Sequence, residues 1–351
     1  MVMQASASLR PSADRRQAIV RAPAKLNLSL AVLARRPDGF HEIESLMVPV
    51  SLADTVAVRS RNDGRFTLAV RYGGRLARHA GLAGDVPADD SNLVIRAAKL
   101  LAEEAGSPVG RDVAGSPRGL GVAGSPLGLD VAGSPRGLDV TGSPLGLDIE
   151  LVKRVPAGAG LGGGSSDAAA VLRAAAAVWG IDWPAARMME LAARIGSDVP
   201  WFFAGGPAIV AGRGEQVGKP LPLPALVAVI ARPVGGLSTP AVYKQCRPTA
   251  AHRGGAQRLA AALAAGRWRA AVREQHNDLE RPAMDLSADV GRLLAAMARA
   301  GCVRPMLTGS GSACFALVRG MVEGRRIAAR LGAAGWPGVW LVRTESTRVS
   351  T

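Results

Sequence analysis

The segment VPAGAGLGGGSSDAAAVL, residues 155–172, restricts the fold of this chain more than any other part of the sequence. Between Gly158 and Gly164, five of the seven residues are glycine. Glycine loses more backbone entropy on folding than other residues, so such a cluster indicates a tight turn or a close approach to a ligand. The residues before it, DIELVKRVP, have the pattern of a strand, and those after it, SSDAAAVLRAAAAVWG, have the pattern of a helix.

We refer to residues 156–166 as the glycine loop. A strand that leads through glycines into a helix directs backbone N–H groups and the helix N-terminus towards a phosphate group. The serine hydroxyls at the end of the loop are further groups that can bind phosphate or Mg²⁺. The glycine loop therefore predicts a phosphate-binding site, and a tight turn without a ligand is the less favoured interpretation.

Three well-known phosphate loops do not fit. The spacing Gly158-x-Gly160-x-x-Gly163 matches the dinucleotide pattern, which also needs a second strand ending in an acidic residue about 20 positions later. Asp182 lies near that distance, but the predicted helix extends to about Gly180 and leaves no room for a strand. No Gly-Lys-Ser/Thr follows the loop, and the His-Arg-Asp and Asp-Phe-Gly sequences of protein kinases are missing.

Composition limits the class of protein. The 351 residues are enough for two domains, and no stretch approaches the roughly 18 apolar residues of a membrane helix. The formal net charge is +15, but the basic residues are scattered arginines with only five lysines, so we predict no nucleic-acid partner and a preference for anionic small molecules. Cys246, Cys302 and Cys314 form no C-x-x-C pair, which favours a reducing cytoplasm.

Five nine-residue repeats occupy residues 105–149, beginning with AGSPVGRDV and ending with TGSPLGLDI. Their glycine spacing excludes collagen, and the Gly-Gly-x-Gly-x-Asp pattern of calcium-binding repeats is absent. Each copy has too little apolar surface to build a core. We therefore predict a flexible, low-complexity insertion at 105–149, and a flexible tail at 1–18.

The remaining segments predict two domains. Residues 18–60 alternate as in strands, SNLVIRAAKLLAEEAG is a capped helix, and DWPAARMMELAARIG is a further helix. From about residue 221 the composition changes, with helices predicted near 255–273 and 287–300. A second glycine turn, MLTGSGSACFALV, leads into an apolar strand.

The glycine loop resembles that of the GHMP kinases, whose pattern is Pro-x-x-x-Gly-Leu-Gly-x-x-Ser-Ser. Two more segments match this family: RAPAKLNLSLAVLARRPDGFHEIESLM near the start and LTGSGSACFAL near the end. The resemblance covers most of residues 20–351 apart from the repeats. It implies a two-domain α+β fold, with an N-terminal ATP-binding domain (19–218) that carries a left-handed β-α-β unit, and a ferredoxin-like C-terminal domain (219–351).

The resemblance also implies cofactors. ATP phosphates are expected against the glycine loop, and Mg²⁺ near the hydroxyl of Ser165 or Ser166, with Ser166 as the assigned metal ligand. Asn92 and Leu93 are expected near the adenine. The nucleotide-binding residues of the loop are Pro156, Ala157, Gly158, Ala159, Gly160, Leu161, Gly162, Gly163, Gly164, Ser165 and Ser166.

Two residues carry the implied catalysis. Asp198 is expected to be the general base that accepts a hydroxyl proton, with Lys25 paired to it beside the acceptor. From the residues alone, Asp198 could equally cap a helix, because Ser-Asp-x-Pro is a helix-start signal. Lys25 lies in the apolar run AKLNLSL, and from the residues alone the favoured interpretation is an edge-strand lysine that reaches solvent, since a buried ammonium is costly unless it is paired.

The acceptor implied by the resemblance is a cytidine diphosphate-linked polyol. Asn27, Phe40, His41 and Tyr243 are expected to contact it, with the Tyr243 ring stacking on cytosine. Phe40 stands where the family often has tyrosine, so a hydroxyl contact is lost while ring packing is kept. Two alternatives stay open: another small-alcohol kinase of this family, or a non-catalytic nucleotide- or RNA-binding protein with the same fold.

Overall fold

The computed structural model of the protein describes residues 10–11, 16–106 and 144–345. Most of the predicted tail and the repeat residues 107–143 lie outside the described residues. Arg10 and Pro11 pair with the strand that begins at Gln17, two residues before the expected start of the domain at 19.

One mixed sheet forms the N-terminal half of the chain. Its strands are β1 (Arg10–Pro11), β2 (Gln17–Arg35), β3 (His41–Arg61), β4 (Phe66–Tyr72), β5 (Gly146–Lys153), β6 (Ala208–Gly212) and β7 (Gln216–Val217). The neighbouring strands are ordered β1-β2-β3-β5-β4, while β6 pairs with the first part of β3 and with β7. Only β4 and β5 run parallel among these strands, and the helices between them complete the β-α-β unit that the family resemblance implies.

Helices cover one face of this sheet. The alanine-rich helix that follows the glycine loop is buried along most of its length, because small side chains let it pack closely on β2 and β3. It ends at Gly180, whose φ of 68° is the left-handed conformation expected of a terminating glycine. The helices are α1 (Gly74–Arg78), α2 (Leu93–Gly106), α3 (Gly163–Trp179) and α4 (Ala185–Ile195).

The second sheet is antiparallel and consists of β8 (Val227–Arg232), β9 (Met306–Leu307), β10 (Cys314–Val318) and β11 (Gly338–Arg343). Its strand order is β11-β8-β10-β9. This order, with helices between the first two and the last two strands in sequence, is that of a ferredoxin-like fold. The helices are α5 (Thr239–Gln245), α6 (Gly255–Ala264), α7 (Trp268–Glu274), α8 (Glu280–Leu286), α9 (Ala288–Ala300) and α10 (Met321–Ala333).

Two predicted boundaries differ from the structure. The helix expected at 255–273 is two helices, α6 and α7, because the chain turns at Gly266 with a φ of 66°. The last repeat copy does not end before the next strand, since β5 begins at Gly146 and its residues pair with β3 and β4. The expected division between domains at 218/219 falls in the connection from β7 to β8.

A shared apolar core joins the two sheets. Leu26 and Leu28 of β2 lie in one buried cluster with Ile230 of β8 and Phe315 of β10. Because β2 is covered on both faces here, its alternate side chains, which point the other way, are buried as well. This packing encloses the polar residues of the AKLNLSL segment. None of the helices described is long and apolar enough to cross a membrane.

Candidate active site

A cleft of about 1210 Å³ runs along the glycine loop. The loop lines one end, and residues of β2, the β2–β3 turn and α5 line the other. Most of the predicted site residues lie on this surface: Lys25, Asn27, Phe40, His41, Leu93, the loop residues from Pro156 to Ser165, Asp198 and Tyr243.

Three glycines give the loop its shape. Gly158, Gly160 and Gly162 have φ angles of 62°, 76° and 69°, a region that other residues rarely adopt. The carbonyls between them point out of the loop: the Lys25 N–H donates to the Leu161 carbonyl at 2.9 Å, and the Ala313 N–H donates to that of Ala159 at 3.1 Å.

The alternate N–H groups consequently point the other way. In a trans peptide the carbonyl of one residue and the N–H of the next are antiparallel, so fixing the carbonyls of Ala159 and Leu161 turns the N–H groups of Gly160 and Gly162 in the opposite direction. Neither N–H is bonded to an acceptor in the described part of the chain. Free N–H groups that point the same way beside a helix N-terminus can bind an anion.

The second glycine turn, residues 308–312, packs directly on the loop. A Cβ added to Gly160 would lie 2.1 Å from the Thr308 carbonyl oxygen, and one added to Gly309 would lie 2.9 Å from the Gly160 carbonyl oxygen. Only glycine permits this approach of backbone to backbone. The close contact explains why two glycine-rich segments far apart in sequence are both needed to build the cleft.

Lys25 and Asp198 meet beside the loop. The Lys25 ammonium lies 3.7 Å from Oδ2 of Asp198 and donates to Oδ1 of Asn27 at 2.5 Å. Lys25 is buried, whereas the Asp198 side chain is 35% exposed towards the cleft. Burial lowers the pKa of Lys25, and the Asp198 carboxylate opposes that shift. A partly accessible carboxylate beside a buried cation can accept a proton from an alcohol in the cleft.

The alternative roles of these two residues are not observed. The 3-10 helix after Asp198, Pro200–Phe203, has no side-chain capping bond at its start. Lys25 is buried, as are both neighbouring β2 positions, and its backbone N–H is bonded to the glycine loop, so the side chain does not reach solvent from an open edge. The pairing of β2 with β3 is irregular on both sides of Lys25, and such bulges re-aim side chains next to sites.

Asn27 is held in place by its neighbours. Its amide nitrogen donates to Oγ of Ser45 at 2.8 Å, and its backbone N–H donates to Oγ1 of Thr308 at 3.0 Å. Lys25 and Asn27 share one face of β2 because they are two positions apart. The bond from Asn27 to Thr308 connects the family segment near the start of the chain to the one near its end.

Aromatic side chains line the far end of the cleft. The rings of His41 and Tyr243 are 5.1 Å apart and inclined by 35°, and burial raises the pKa of Tyr243 while it lowers that of His41. Phe40 is half-exposed, and the guanidinium of Arg213 lies 4.8 Å from its ring centroid. A flat base can stack against such walls.

Two predicted residues do not line the cleft. Asn92 caps α2: its Oδ1 accepts from the Val94 N–H at 2.9 Å, and its Nδ2 donates to the Pro87 carbonyl at 2.6 Å. Both ends of its amide are therefore used within the chain. Ser166 is buried at 1% exposure with an unpartnered hydroxyl, while the preceding Ser165 faces the cleft.

Sequence reasoning missed several side chains of the cleft. Thr239 and Ser310 line it and are joined by a 2.7 Å hydrogen bond between their hydroxyls. Ser310 belongs to the LTGSGSACFAL segment, which was recognised without assigning any residue a role. Four basic residues also line the cleft: Arg35, Arg213, Lys244 and Arg247. They would attract an anionic acceptor.

A buried ion cluster supports the loop from below. The Lys153 ammonium, at the end of β5, donates to Asp54 and, at 2.7 Å, to Oδ2 of Asp167 in the second turn of α3. Asp54 also accepts from the backbone N–H groups of Arg154 and Val155. The cluster thus fixes the chain where it leaves the strand and enters the loop.

Comparison with known proteins identifies the family. The GHMP kinases N terminal domain model matches residues 133–206, and the GHMP kinases C terminal model matches residues 259–337. The 4-diphosphocytidyl-2-C-methyl-D-erythritol kinase of Thermobifida fusca is 37% identical over 323 residues, which cover 90% of this chain and 92% of the relative. The chain belongs to the GHMP kinase family.

Further comparisons agree with this family membership. The enzyme of the same name from Paramagnetospirillum magneticum is 34% identical, covering 92% of this GHMP kinase and 96% of the relative. A crystal structure of 4-(cytidine 5'-diphospho)-2C-methyl-D-erythritol kinase is 33% identical with a TM-score of 0.64, covering 93% and 99% of the two chains. The two-domain α+β fold expected from the sequence is confirmed.

Proposed function

We propose that this GHMP kinase transfers the γ-phosphoryl group of ATP to the 2-hydroxyl of 4-diphosphocytidyl-2-C-methyl-D-erythritol, a step of non-mevalonate isoprenoid synthesis. The observation that carries the proposal is the Lys25–Asp198 pair, which lies between the glycine loop and the aromatic end of one continuous cleft. The names of the relatives supply the acceptor.

The reaction follows from these positions. The acceptor oxygen attacks the γ-phosphorus, the bond to the β-phosphate oxygen breaks, ADP leaves, and the hydroxyl proton passes to Asp198. Lys25 holds the carboxylate in place and its positive charge favours the developing alkoxide. Phosphoryl transfer depends mainly on positioning and charge stabilisation, and the N–H groups of the glycine loop supply both for the phosphates.

Substrate specificity is assigned to the aromatic end. Cytosine would stack against Tyr243, with His41 in hydrogen-bonding range and Phe40 closing the opposite side under Arg213. The basic residues of the cleft would bind the diphosphate. Phe40 keeps the ring packing of the tyrosine that is common at this position.

We include Mg²⁺ in the proposal because kinases normally bind ATP as its magnesium complex. The hydroxyl of Ser165 faces the cleft at the end of the loop and is the better candidate ligand than the buried Ser166. When bound, the ion neutralises phosphate charge. The enzyme is proposed to act in the cytoplasm, in keeping with its three buried, unpaired cysteines.

The deciding experiment is ADP release with a panel of alcohols. We expect turnover with 4-diphosphocytidyl-2-C-methyl-D-erythritol and ³¹P NMR of the product showing a new phosphate monoester, with homoserine and mevalonate inactive. Turnover only with another alcohol would select a different kinase of the family. No turnover with any alcohol, together with ATP binding, would indicate a non-catalytic protein.

A further inference from the structure

Arg232, the last residue of β8, is a buried cation directly behind the glycine loop. Its side chain is 1% exposed, and it is the largest side chain among the most deeply buried residues. The other two buried cations near the loop each have an acidic partner: Lys25 pairs with Asp198, and Lys153 pairs with Asp54 and Asp167. In the described ranges, no carboxylate oxygen lies within 4 Å of the Arg232 guanidinium.

The guanidinium binds backbone carbonyls of three separate segments. It donates to the Leu82 carbonyl at 2.6 Å, to that of Gly235 at 2.7 Å, and to that of Ala157 at 3.3 Å. Leu82 precedes α2, Gly235 belongs to the β8–α5 connection, and Ala157 is in the glycine loop. One side chain of the second sheet therefore joins three loops that meet behind the phosphate site.

The contact with Ala157 completes the pattern of the loop. The carbonyls of Ala159 and Leu161 are held by backbone N–H groups, and that of Ala157 is held by Arg232. By the same antiparallel peptide geometry, this turns the Gly158 N–H in the opposite direction, and that N–H has no bonded acceptor in the described chain. Arg232 is the one side chain among the three donors.

The unpaired charge of Arg232 is a second reason to expect an anion near it. A buried charge without a partner is costly, and Nε of Arg232 also has no hydrogen-bond partner. Carbonyl dipoles offset part of that cost, but they do not neutralise the charge. A polyphosphate bound on the other side of the loop would supply the missing negative charge through low-dielectric protein, where the attraction is stronger than in water.

We propose that Arg232 is a positioning residue for nucleotide binding: it orients the Gly158 N–H of the glycine loop and provides a fixed positive charge whose counter-ion is the bound polyphosphate. This inference rests on the proposed function for the identity of the ligand. It does not depend on which alcohol is phosphorylated.

The test compares Arg232→Lys, which keeps the charge, with Arg232→Gln, which keeps a hydrogen-bond donor. Calorimetric Kd values are measured for MgADP and for inorganic tripolyphosphate, without any acceptor alcohol. We expect Arg232→Gln to raise the Kd values for MgADP and for tripolyphosphate by about ten- to a hundred-fold. Arg232→Lys should raise them much less, because lysine keeps the positive charge. In turnover, the KM for ATP should rise while the KM for the alcohol stays near normal.

Arg173→Gln is the matched control. Arg173 is another arginine whose pKa is lowered by burial; it donates to the Phe202 carbonyl and lies over the Phe203 ring, three turns along α3 from the loop. Its loss should lower Tm without changing the affinity for tripolyphosphate. Unchanged affinities in Arg232→Gln would overturn the proposal. Equal losses in the Lys and Gln variants, with a fall in Tm like that of Arg173→Gln, would also overturn it and leave a structural role.

Because binding is measured without an alcohol, the two proposals fail separately. Absence of turnover with the cytidylated polyol would refute the proposed acceptor and leave the Arg232 result intact. Normal turnover with unchanged nucleotide affinity in Arg232→Gln would refute only the inference about Arg232.

Discussion

Lys25 and Asp198 divide one task between a buried cation and an accessible carboxylate. The 3.7 Å separation of Nζ and Oδ2 leaves the second carboxylate oxygen available to an acceptor in the cleft. Asn27 and Ser45 hold the ammonium side of the pair through a chain of short hydrogen bonds. Such a pair is expected to act as a unit in catalysis.

Replacing Asp198 by Asn should lower kcat by about 10²–10⁴-fold, because the amide cannot accept the proton. The KM for ATP should change little, since the glycine loop is untouched. Lys25→Ala should also lower kcat, and the double variant should lose far less than the product of the two single losses. Steady-state kinetics on all three, with circular dichroism to verify folding, makes the comparison. A folded Asp198→Asn enzyme with near-normal kcat would remove Asp198 from the reaction.

The rate should also fall at alkaline pH earlier than an ordinary lysine would dictate. Burial lowers the pKa of Lys25 from its ordinary value of 10.5, and the charge of Asp198 raises it part of the way back. As the pH rises, Lys25 therefore loses the proton that the reaction requires at a lower pH than a lysine of pKa 10.5 would. A kcat/KM profile measures this limb. In Lys25→Arg, whose side chain stays charged, the remaining kcat/KM should not change over the same pH range. If the alkaline fall persists in this variant, another group causes it.

The cluster of Lys153, Asp54 and Asp167 joins β3, β5 and α3 beneath the loop. Its two carboxylates differ in kind. Asp54 accepts from Lys153 and from two backbone N–H groups, while one oxygen of Asp167 has no partner. Burial, together with the nearby charge of Asp54, raises the pKa of Asp167 to about 8.

These differences predict opposite effects on stability. Asp54→Asn removes one of the two carboxylates that partner the buried Lys153 and should cost about 3–5 kcal/mol of unfolding free energy. For Asp167, the folded pKa lies above the unfolded value of 3.8, so the folded state holds the extra proton and wild-type stability falls as the pH rises towards 8. The free energy of unfolding of Asp167→Asn should therefore equal that of wild type near pH 4 and exceed it by a growing margin up to pH 8. Urea unfolding at several pH values decides this; a constant difference would contradict it.

The nine-residue repeats lie in the sequence between two neighbouring elements of one domain, α2 and β5. The described chain leaves α2 at Gly106 and enters β5 at Gly146, and α2 packs on β4, which pairs with β5 along its length. Closing a long connection costs only about 0.6 kcal/mol per doubling of its length. We therefore expect that these elements stay together without the insertion.

Replacing residues 107–143 by a Gly-Ser linker of about ten residues, which can span roughly 33 Å, should leave kcat/KM and Tm close to wild type. The cut must stop there: the larger deletion of 105–149 would remove half of β5 from the middle of the sheet, and this control should fail to fold. Activity and thermal unfolding of both variants provide the measurement. A large loss in the shorter deletion would show that the repeats are structural.

The family, the two-domain α+β fold and the glycine loop could be predicted from the amino-acid order alone, because these depend on local patterns. Glycines at fixed spacing set the backbone conformation of the loop, and helix periodicity with terminating glycines set α3 and α4. The pairing of Lys25 with Asp198 was available only from the family resemblance, since 173 residues separate them.

Tertiary structure decided which side chains reach the cleft. Ser165 faces it and Ser166 does not, because successive helical residues point about 100° apart and the phase of α3 is set by its packing on the sheet. Asn92 is used as a helix cap, a choice that depends on the path of the chain before α2. Arg232 has no sequence signature at all: its role arises only where a strand of the second sheet packs behind a loop of the first.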